Sequence, residues 1–230
     1  TPNHHKLASE FVLLDNYYCN GVLSADGHSW TTEGNATSFF ERSFGGWTRS
    51  YPYGDEPLAI SHTGHIWDAA MARGKSFLNF GEFDTAGMPR GETYASLLRK
   101  TQMGLPLPES STLIGIERVR QHSVRAFPGW NMNIPDLLRI RVFKETYAKL
   151  VAKQQVPNLM TVYLPQDHTS GSEAGAPTPA AHVADNDEAL GQLVETVSKS
   201  PVWKDTVIFV VEDDPQDGVD HVDGHRSVCL

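Results

Sequence analysis

Cysteine, basic residues and long apolar runs are all scarce in this chain of 230 residues. Cys19 and Cys229 have no metal-ligand spacing, and a chain of this length buries enough core to fold without disulfides. No apolar stretch approaches the roughly 20 residues that a membrane span needs, so the sequence predicts no spanning helix.

The charge balance is acidic, with 19 basic against 28 acidic residues and a net charge of −9. Nucleic-acid binding needs a basic surface, so the composition argues against DNA or RNA as a partner. A small anionic substrate stays open because a bound cation can reverse the local field.

The ends of the chain add one expectation. The first residue is Thr1 rather than methionine, and no signal peptide is visible, so the question of export is open. No helix or strand is recognisable after the His- and Asp-rich stretch that precedes Leu230. We expect the chain to be a fragment of a larger domain.

Apolar segments typical of strands alternate with amphipathic segments typical of helices. This alternation predicts a single α/β domain with a mostly parallel sheet sandwiched by helices. The scattered proline and glycine residues of Gly87–Gly129 indicate an insert or a cap, which we expect at about residues 87–130. The predicted strands are Phe11–Tyr18, Ser76–Phe80, Asn158–Leu164 and the wholly apolar Thr206–Val211, and the predicted helices are Asn3–Glu10, Ser24–Ser38, Ile66–Arg73, Ile134–Gln154 and Ala180–Ser200.

Reactive side chains follow three of the predicted strands, where α/β proteins collect functional residues. Asp167 and His168 follow Asn158–Leu164, and the segment Ser24–His28 follows Phe11–Tyr18. Glu212, Asp213 and Asp214 come directly after Thr206–Val211. Adjacent carboxylates repel one another, and a cation relieves that cost. Nearby histidines favour Zn, Mn or Fe, whereas carboxylates alone suit Mg or Ca. The alternative is a solvated acidic turn.

Ser24 begins a predicted helix just after a turn. Free N–H groups at a helix N-terminus stabilise an anion, which suits an alkoxide or a phosphorylated serine. The alternative is a plain N-cap serine. The GxSxG motif of α/β-hydrolases is absent, so Ser24 needs another activator such as a metal. His28 lies on the same helix face as Ser24 and either serves the site or packs.

Weaker signals come from two loops. His62 and His65 have a spacing that permits metal binding without requiring it. Asn79 and Glu82 follow the predicted strand Ser76–Phe80 and either line the cleft or form a structural turn.

Several segments, taken together, resemble the alkaline phosphatase superfamily, and most closely its bacterial phosphoesterase branch of acid phosphatases and phospholipase C enzymes. They cover about half of the chain, and their order and spacing carry the likeness more than any single motif. The SxxGH pattern at Ser24–His28 is also similar to the nucleophile turn of cofactor-independent phosphoglycerate mutases. The segments are TPNHHKLASEFVLLDNYY, NGVLSADGHSW, GKSFLNFGEF, PNLMTVYLPQDHTSG, ADNDEALGQLVETVSKSPVWKDTVIFVVEDD and DGVDHVDGHR.

The resemblance implies an alkaline-phosphatase-like core and a metal-dependent phosphoesterase. Ser24 aligns with the nucleophile that takes up the phosphoryl group, and Asp213 and Asp214 match an acidic metal-binding pair. The implied cofactor is one or two divalent ions, with Zn favoured over Mn, Fe, Ca or Mg. The implied substrate is a small-molecule or lipid phosphate ester, and export is common in the family, which implies a periplasmic or secreted protein.

Further residues take roles from the same resemblance. Asp167 and His168 resemble the segment that supplies a second metal or contacts the phosphate. His221 matches the phospholipase C pattern after the acidic pair, and His225 is its substitute. We therefore expect Asp167, His168, His221 and His225 among the metal ligands, and His28 and His168 among the catalytic residues.

The chain departs from the family at both ends, since the family's first strand and the strand after the final His-Arg have no counterpart here. We expect exposed sheet edges, which favour a homo-oligomer. Two other functions stay open: a carboxylic-ester hydrolase that uses the same serine and metal cleft, and a non-catalytic metal-binding fragment.

Overall fold

The structure is a computed structural model that describes residues 1–21, 23–43, 51–214 and 225–230. In this part of the chain there are eight α-helices and four short strands. The strands are β1 (Phe77–Phe80), β2 (Thr85–Ala86), β3 (Thr112–Leu113) and β4 (Leu159–Val162). The helices are α1 (Pro2–Glu10), α2 (Ser24–Glu33), α3 (Ser38–Arg42), α4 (Ile66–Ala72), α5 (Tyr94–Gln102), α6 (Glu117–Gln121), α7 (Asp136–Ala152) and α8 (Pro179–Ser198).

The strands pair in two small sheets. β1 and β4 are parallel, with Phe77 opposite Leu159, and β2 and β3 are antiparallel. The fold is therefore mixed α/β, as predicted. Within the described residues, however, the parallel part comprises two strands rather than the extended sheet that the sequence predicts.

The main core lies between the parallel strands and helices α7 and α8. Leu138 and Tyr147 of α7 and Leu190 and Val197 of α8, which recur at helical spacing in the sequence, are buried there. The segment predicted as an insert or cap contains α5, β3 and α6, so it is more regular than expected. Its Leu97 joins the same core. No helix in the described ranges has the length and apolarity to cross a membrane.

The predicted helix Ser24–Ser38 is two helices, and a glycine explains the break. Gly34 ends α2 with a φ of 67°, in the left-handed region that glycine adopts without a steric penalty. Thr37 then caps α3, because its side chain accepts a hydrogen bond from the backbone N–H of Phe40.

The prediction for 206–211 as a fully buried parallel strand is wrong. Val207 and Phe209 are 76% and 77% exposed, while Ile208 and Val210 pack on the core. Residue 210 pairs antiparallel with Leu230 through two backbone hydrogen bonds of 2.9 Å. An apolar run is fully buried only where both faces are covered, and here one face meets solvent.

The prediction of a strand at Phe11–Tyr18 is also wrong. Phe11 and Val12 are exposed, and only Tyr18 forms a bridge, which is antiparallel and to Arg226. The segment 225–230 therefore lies between residues 14–19 and residues 210–212, and bonds to both.

Two buried aspartates in α8 cap other helices rather than their own. Asp185 accepts the N–H groups of Asp136 and Leu137 at the start of α7, at 2.5 and 3.3 Å. Asp187 accepts those of Asn3 and His4 in α1, at 3.0 and 2.9 Å. Each carboxylate satisfies free donors at a helix N-terminus, so α8 fixes the positions of α1 and α7.

Candidate functional site

Ser24 is the first residue of α2, and its hydroxyl faces a carboxylate. The N-cap position belongs to Leu23, so Ser24 does not cap the helix. Its Oγ–H instead donates a hydrogen bond of 2.8 Å to Asp214 Oδ2. The interpretation of Ser24 as a plain N-cap serine is therefore wrong. The hydroxyl lies at the positive end of the helix dipole and against a proton acceptor.

Gly27 explains why the acidic residues lie directly on α2. A Cβ at this position would stand 1.8 Å from the backbone oxygen of Asp213. Only a residue without a side chain lets the two backbones meet so closely. The Asp-Gly-His sequence of α2 thus places Asp213 one helical turn from Ser24.

Asp167 and Glu212, which the chain separates widely, share a hydrogen bond between their carboxyl groups. Burial raises the pKa of both carboxyls. The charge of Glu212 adds to the rise at Asp167, and the charge of Asp213 adds to the rise at Glu212. Two ionised carboxylates this close would repel each other, so the arrangement favours protonation of one of them or a bound cation.

Asp214 completes a group of four acidic residues, Asp167, Glu212, Asp213 and Asp214, which we name the acidic cluster. Burial raises the pKa of Asp214, and the neighbouring Asp213 raises it further, while the hydrogen bond from Ser24 acts in the opposite direction. Several buried carboxyls at one place disfavour full ionisation. A divalent cation would remove that cost, since hard oxygen donors suit such ions.

His28 is buried beside the acidic cluster, with partners at both ring nitrogens. Nδ1 lies 2.8 Å from Glu82 Oε1, and Nε2 lies 3.4 Å from Asp213 Oδ2. The Tyr51 hydroxyl is 2.8 Å from Nε2 and also bonds Tyr163. Burial lowers the pKa of His28, but the negative charges of Glu82 and Asp213 outweigh it and the net shift is upward.

The remaining predicted metal ligands are all histidines. His168 is exposed, with Nδ1 2.9 Å from the Thr169 carbonyl oxygen and its ring edge-on to Trp130 at 4.9 Å. Its charge still acts on Asp214. His225 is exposed at the start of the C-terminal segment, and its carbonyl accepts the N–H of Cys19 at 2.8 Å. His221 lies outside the described residues.

The predicted ligands do not yet form a metal centre. Within the described ranges, no three His, Cys, Asp or Glu side chains already converge as ligands of one ion. The acidic cluster and His28 are nevertheless donors that match Zn, Mn or Fe in type. These residues therefore fit a divalent cation by chemistry.

A cavity of about 200 Å³ opens beside Asp213. The rings of Tyr17, Tyr18 and Trp30 contribute to its wall, and Gly27 lies at its edge next to the acidic cluster. Aromatic walls favour a flat or apolar group.

His65, the N-cap residue of α4, lies in a second buried cluster beside Glu33 at the C-terminal end of α2. Its Nε2 is 3.6 Å from Glu33 Oε1, and its Nδ1 is 3.5 Å from Asp68 Oδ2. Burial raises the pKa of Glu33 to about 7, and burial lowers that of His65 although Asp68 opposes this. The spacing of His62 and His65 does not bring them together, since His65 is buried and His62 is exposed.

The sequence points to Glu82 as a residue that either lines the cleft or forms a structural turn, and the prediction from sequence omits Tyr163. Glu82 follows β1, so the strand-end rule was the signal available for it. Tyr163 follows β4 directly and carries the same signal, but a tyrosine next to an apolar strand is more easily assigned to the core.

Comparison of the chain with protein-family models, with curated proteins and with solved structures finds no match in any of the three. The functional argument therefore depends on the geometry of the site.

Proposed function

We propose that this protein hydrolyses phosphate esters, with Ser24 as the nucleophile and one or two divalent cations, Zn favoured, at the acidic cluster. The observation that carries the proposal is the 2.8 Å hydrogen bond from Ser24 Oγ to Asp214 Oδ2 at the N-terminus of α2. A serine hydroxyl in contact with a proton acceptor is the arrangement that nucleophilic catalysis requires.

The surroundings of Ser24 support an anionic substrate only when a cation is bound. The acidic cluster on its own repels a phosphate. A divalent cation at these carboxylates would offset their charge and stabilise the charge that develops on the phosphoryl oxygens. The free N–H groups at the start of α2 add a further attraction for an anion.

The reaction proceeds in two steps that share one intermediate. Ser24 gives its proton to Asp214, and its Oγ forms a bond to phosphorus while the bond from phosphorus to the alcohol oxygen breaks. The departing alcohol takes up a proton, and we place His168 and His28 as the candidate donors. Water then attacks phosphorus and returns one proton to the histidine, while the bond from phosphorus to Oγ breaks. Ser24 recovers its proton from Asp214, and inorganic phosphate is released.

The substrate is a small-molecule or lipid phosphate ester, and the cavity beside Asp213 is a place for its organic part. The resemblance of the sequence to the bacterial phosphoesterase branch, in which export is common, supports a location in the periplasm or outside the cell. The exposed apolar side chains of residues 11–14, Val207 and Phe209 favour a homo-oligomer. The alkaline-phosphatase-like core belongs to the same proposal.

The test compares p-nitrophenyl phosphate with p-nitrophenyl acetate, each before and after EDTA, on protein whose metal content is measured by plasma mass spectrometry. We expect turnover of the phosphate that EDTA abolishes and zinc restores. Turnover of the acetate alone supports the carboxylic-ester hydrolase instead. A metal-dependent rise in melting temperature with no turnover of either ester supports the non-catalytic fragment.

A further inference from the structure

The imidazole of His28 is held between two carboxylates from different parts of the chain. Glu82 Oε1 lies 2.8 Å from Nδ1, and Asp213 Oδ2 lies 3.4 Å from Nε2. The side chains of His28 and Glu82 are 10% and 7% exposed, so little water competes for these contacts. Buried carboxylate–imidazole contacts at a cluster of acids need an explanation beyond packing.

Glu82 occupies a fixed position at the end of the parallel strands. Its backbone N–H donates to Asn79 Oδ1 at 3.1 Å, and Asn79 Nδ2 donates back to its carbonyl at 2.8 Å. The Thr161 hydroxyl donates to the same Asn79 oxygen at 2.7 Å, which ties the turn to β4. Asn79 is fully buried. The carboxylate that meets His28 is therefore anchored to both strands.

This anchoring decides which nitrogen of His28 is available. An ionised carboxylate only accepts hydrogen bonds, so Nδ1 carries a hydrogen whether the ring is neutral or charged. Nε2 is then the nitrogen that can bind an ion, and Asp213 Oδ2 lies 3.4 Å from it. The Tyr51 hydroxyl also lies 2.8 Å from Nε2, so it has to move aside for an ion to bind there.

The spacing of Nε2 and Asp213 Oδ2 matches two ligands of one ion. Ligand bonds of about 2.1 Å to a tetrahedral zinc place neighbouring donors about 3.4 Å apart. The separation in the structure is 3.4 Å. Zinc-bound histidines almost always donate their second N–H to a carboxylate, a backbone carbonyl or a water, and Glu82 is a carboxylate in that position.

We infer that His28 is a metal ligand through Nε2, alongside Asp213, and that Glu82 is the positioning residue that orients it. The inference deepens the proposed function and rests on its divalent cation. It takes His28 out of the catalytic residues, where the sequence placed it, and leaves His168 as the candidate proton donor of the proposed function.

The experiment titrates the full chain with Zn²⁺ and follows it by calorimetry and by NMR of ¹⁵N-labelled histidine. The His28 signals are assigned by their loss in His28→Gln. We expect the Nε2 signal to shift on zinc binding while Nδ1 stays protonated. We expect Glu82→Gln, which keeps the side-chain shape, to weaken zinc binding about 10- to 100-fold. Glu145→Gln, an exposed change on α7, is the matched control and leaves zinc affinity unchanged.

Three results overturn the inference. The first is zinc binding that leaves the His28 signals unchanged. The second is a zinc affinity of His28→Gln equal to that of the wild type. Absence of zinc binding in the wild type overturns both this inference and the metal requirement of the proposed function. If zinc binds and shifts His28 but p-nitrophenyl phosphate is not hydrolysed, the ligand assignment stands and the proposed function fails.

Discussion

Ser24 Oγ and Asp214 Oδ2 lie 2.8 Å apart although 190 residues separate them in the chain. The contact joins the N-terminus of α2 to the segment that follows residues 206–211. It depends on Gly27, which lets the Asp213 backbone rest on the helix. The reactive arrangement is thus a product of the tertiary fold, and changes at this contact give the clearest tests.

Gly27→Ala places a Cβ 1.8 Å from the Asp213 backbone oxygen, so α2 and the acidic segment have to move apart. Alanine adds about 1 kcal/mol of helix propensity, but overpacking against backbone costs about 1–3 kcal/mol, so we expect a net loss in the free energy of unfolding. A displacement near 1 Å lowers catalysis about 100-fold. Urea unfolding and p-nitrophenyl phosphate turnover measure both effects. Gln102→Ala, an exposed change at the end of α5, is the control, and wild-type behaviour of Gly27→Ala contradicts the account.

Glu33→Gln tests the buried pair at the other end of α2. Burial raises the pKa of Glu33 from 4.5 to about 7, so the folded state holds a proton there that the unfolded state has lost. The stabilising contribution is complete below pH 4.5 and disappears as pH rises through 7. Glutamine resembles the protonated acid, and we expect it to stabilise the protein above pH 7 by about 1–3 kcal/mol and to have little effect near pH 4.

Thermal and urea unfolding at both pH values measure this difference. His65 Nε2 lies 3.6 Å from Glu33 Oε1, so the comparison is repeated in a His65→Gln background to remove the titration of the imidazole. Glu41→Gln removes an exposed carboxylate from α3 and controls for net charge. A Glu33→Gln effect of equal size at both pH values argues against a protonated Glu33.

Arg139→Met tests the buried polar framework behind the site. The guanidinium is fully buried and bonds Asp136 Oδ1 at 3.0 Å and the carbonyl oxygens of Pro128 and Asn131 at 2.9 and 3.0 Å. Its removal leaves Asp136 as an uncompensated buried charge, so we expect a loss of about 3–5 kcal/mol in the free energy of unfolding. Arg141→Met, on the same helix but partly exposed, is expected to lose under about 1 kcal/mol. Equal losses in the two variants contradict this assignment.

The sequence predicts the long helices of this fold well, because their apolar residues repeat at helical spacing. Leu190, Leu193 and Val197 in α8 are buried as their spacing indicates. The prediction from sequence fails for residues 206–211, since an apolar run does not reveal whether both faces of a strand are covered. The antiparallel partner of that segment, residues 228–230, lies beyond a stretch of varied polar sequence, and local pattern holds no information on such pairing.

In the site, too, local sequence pattern predicts some residues, and contacts between distant parts of the chain determine the rest. Strand-end position pointed to Asp167, Glu212, Asp213 and Asp214, which the structure brings near α2. The partnership of Glu82 with His28 could not be predicted, because it depends on the turn that Asn79 fixes between two strands. A three-dimensional contact between residues 54 positions apart leaves no local signature in one sequence.

The most direct test of the central claim is peptide mass spectrometry on zinc-loaded protein that is quenched with acid during turnover of p-nitrophenyl phosphate. The account predicts one phosphoryl group on the peptide that carries Ser24, and predicts that Ser24→Ala loses this adduct together with at least about 10³-fold in turnover. Hydrolysis that continues at the wild-type rate in Ser24→Ala, with no phosphoserine in the wild type, would contradict it.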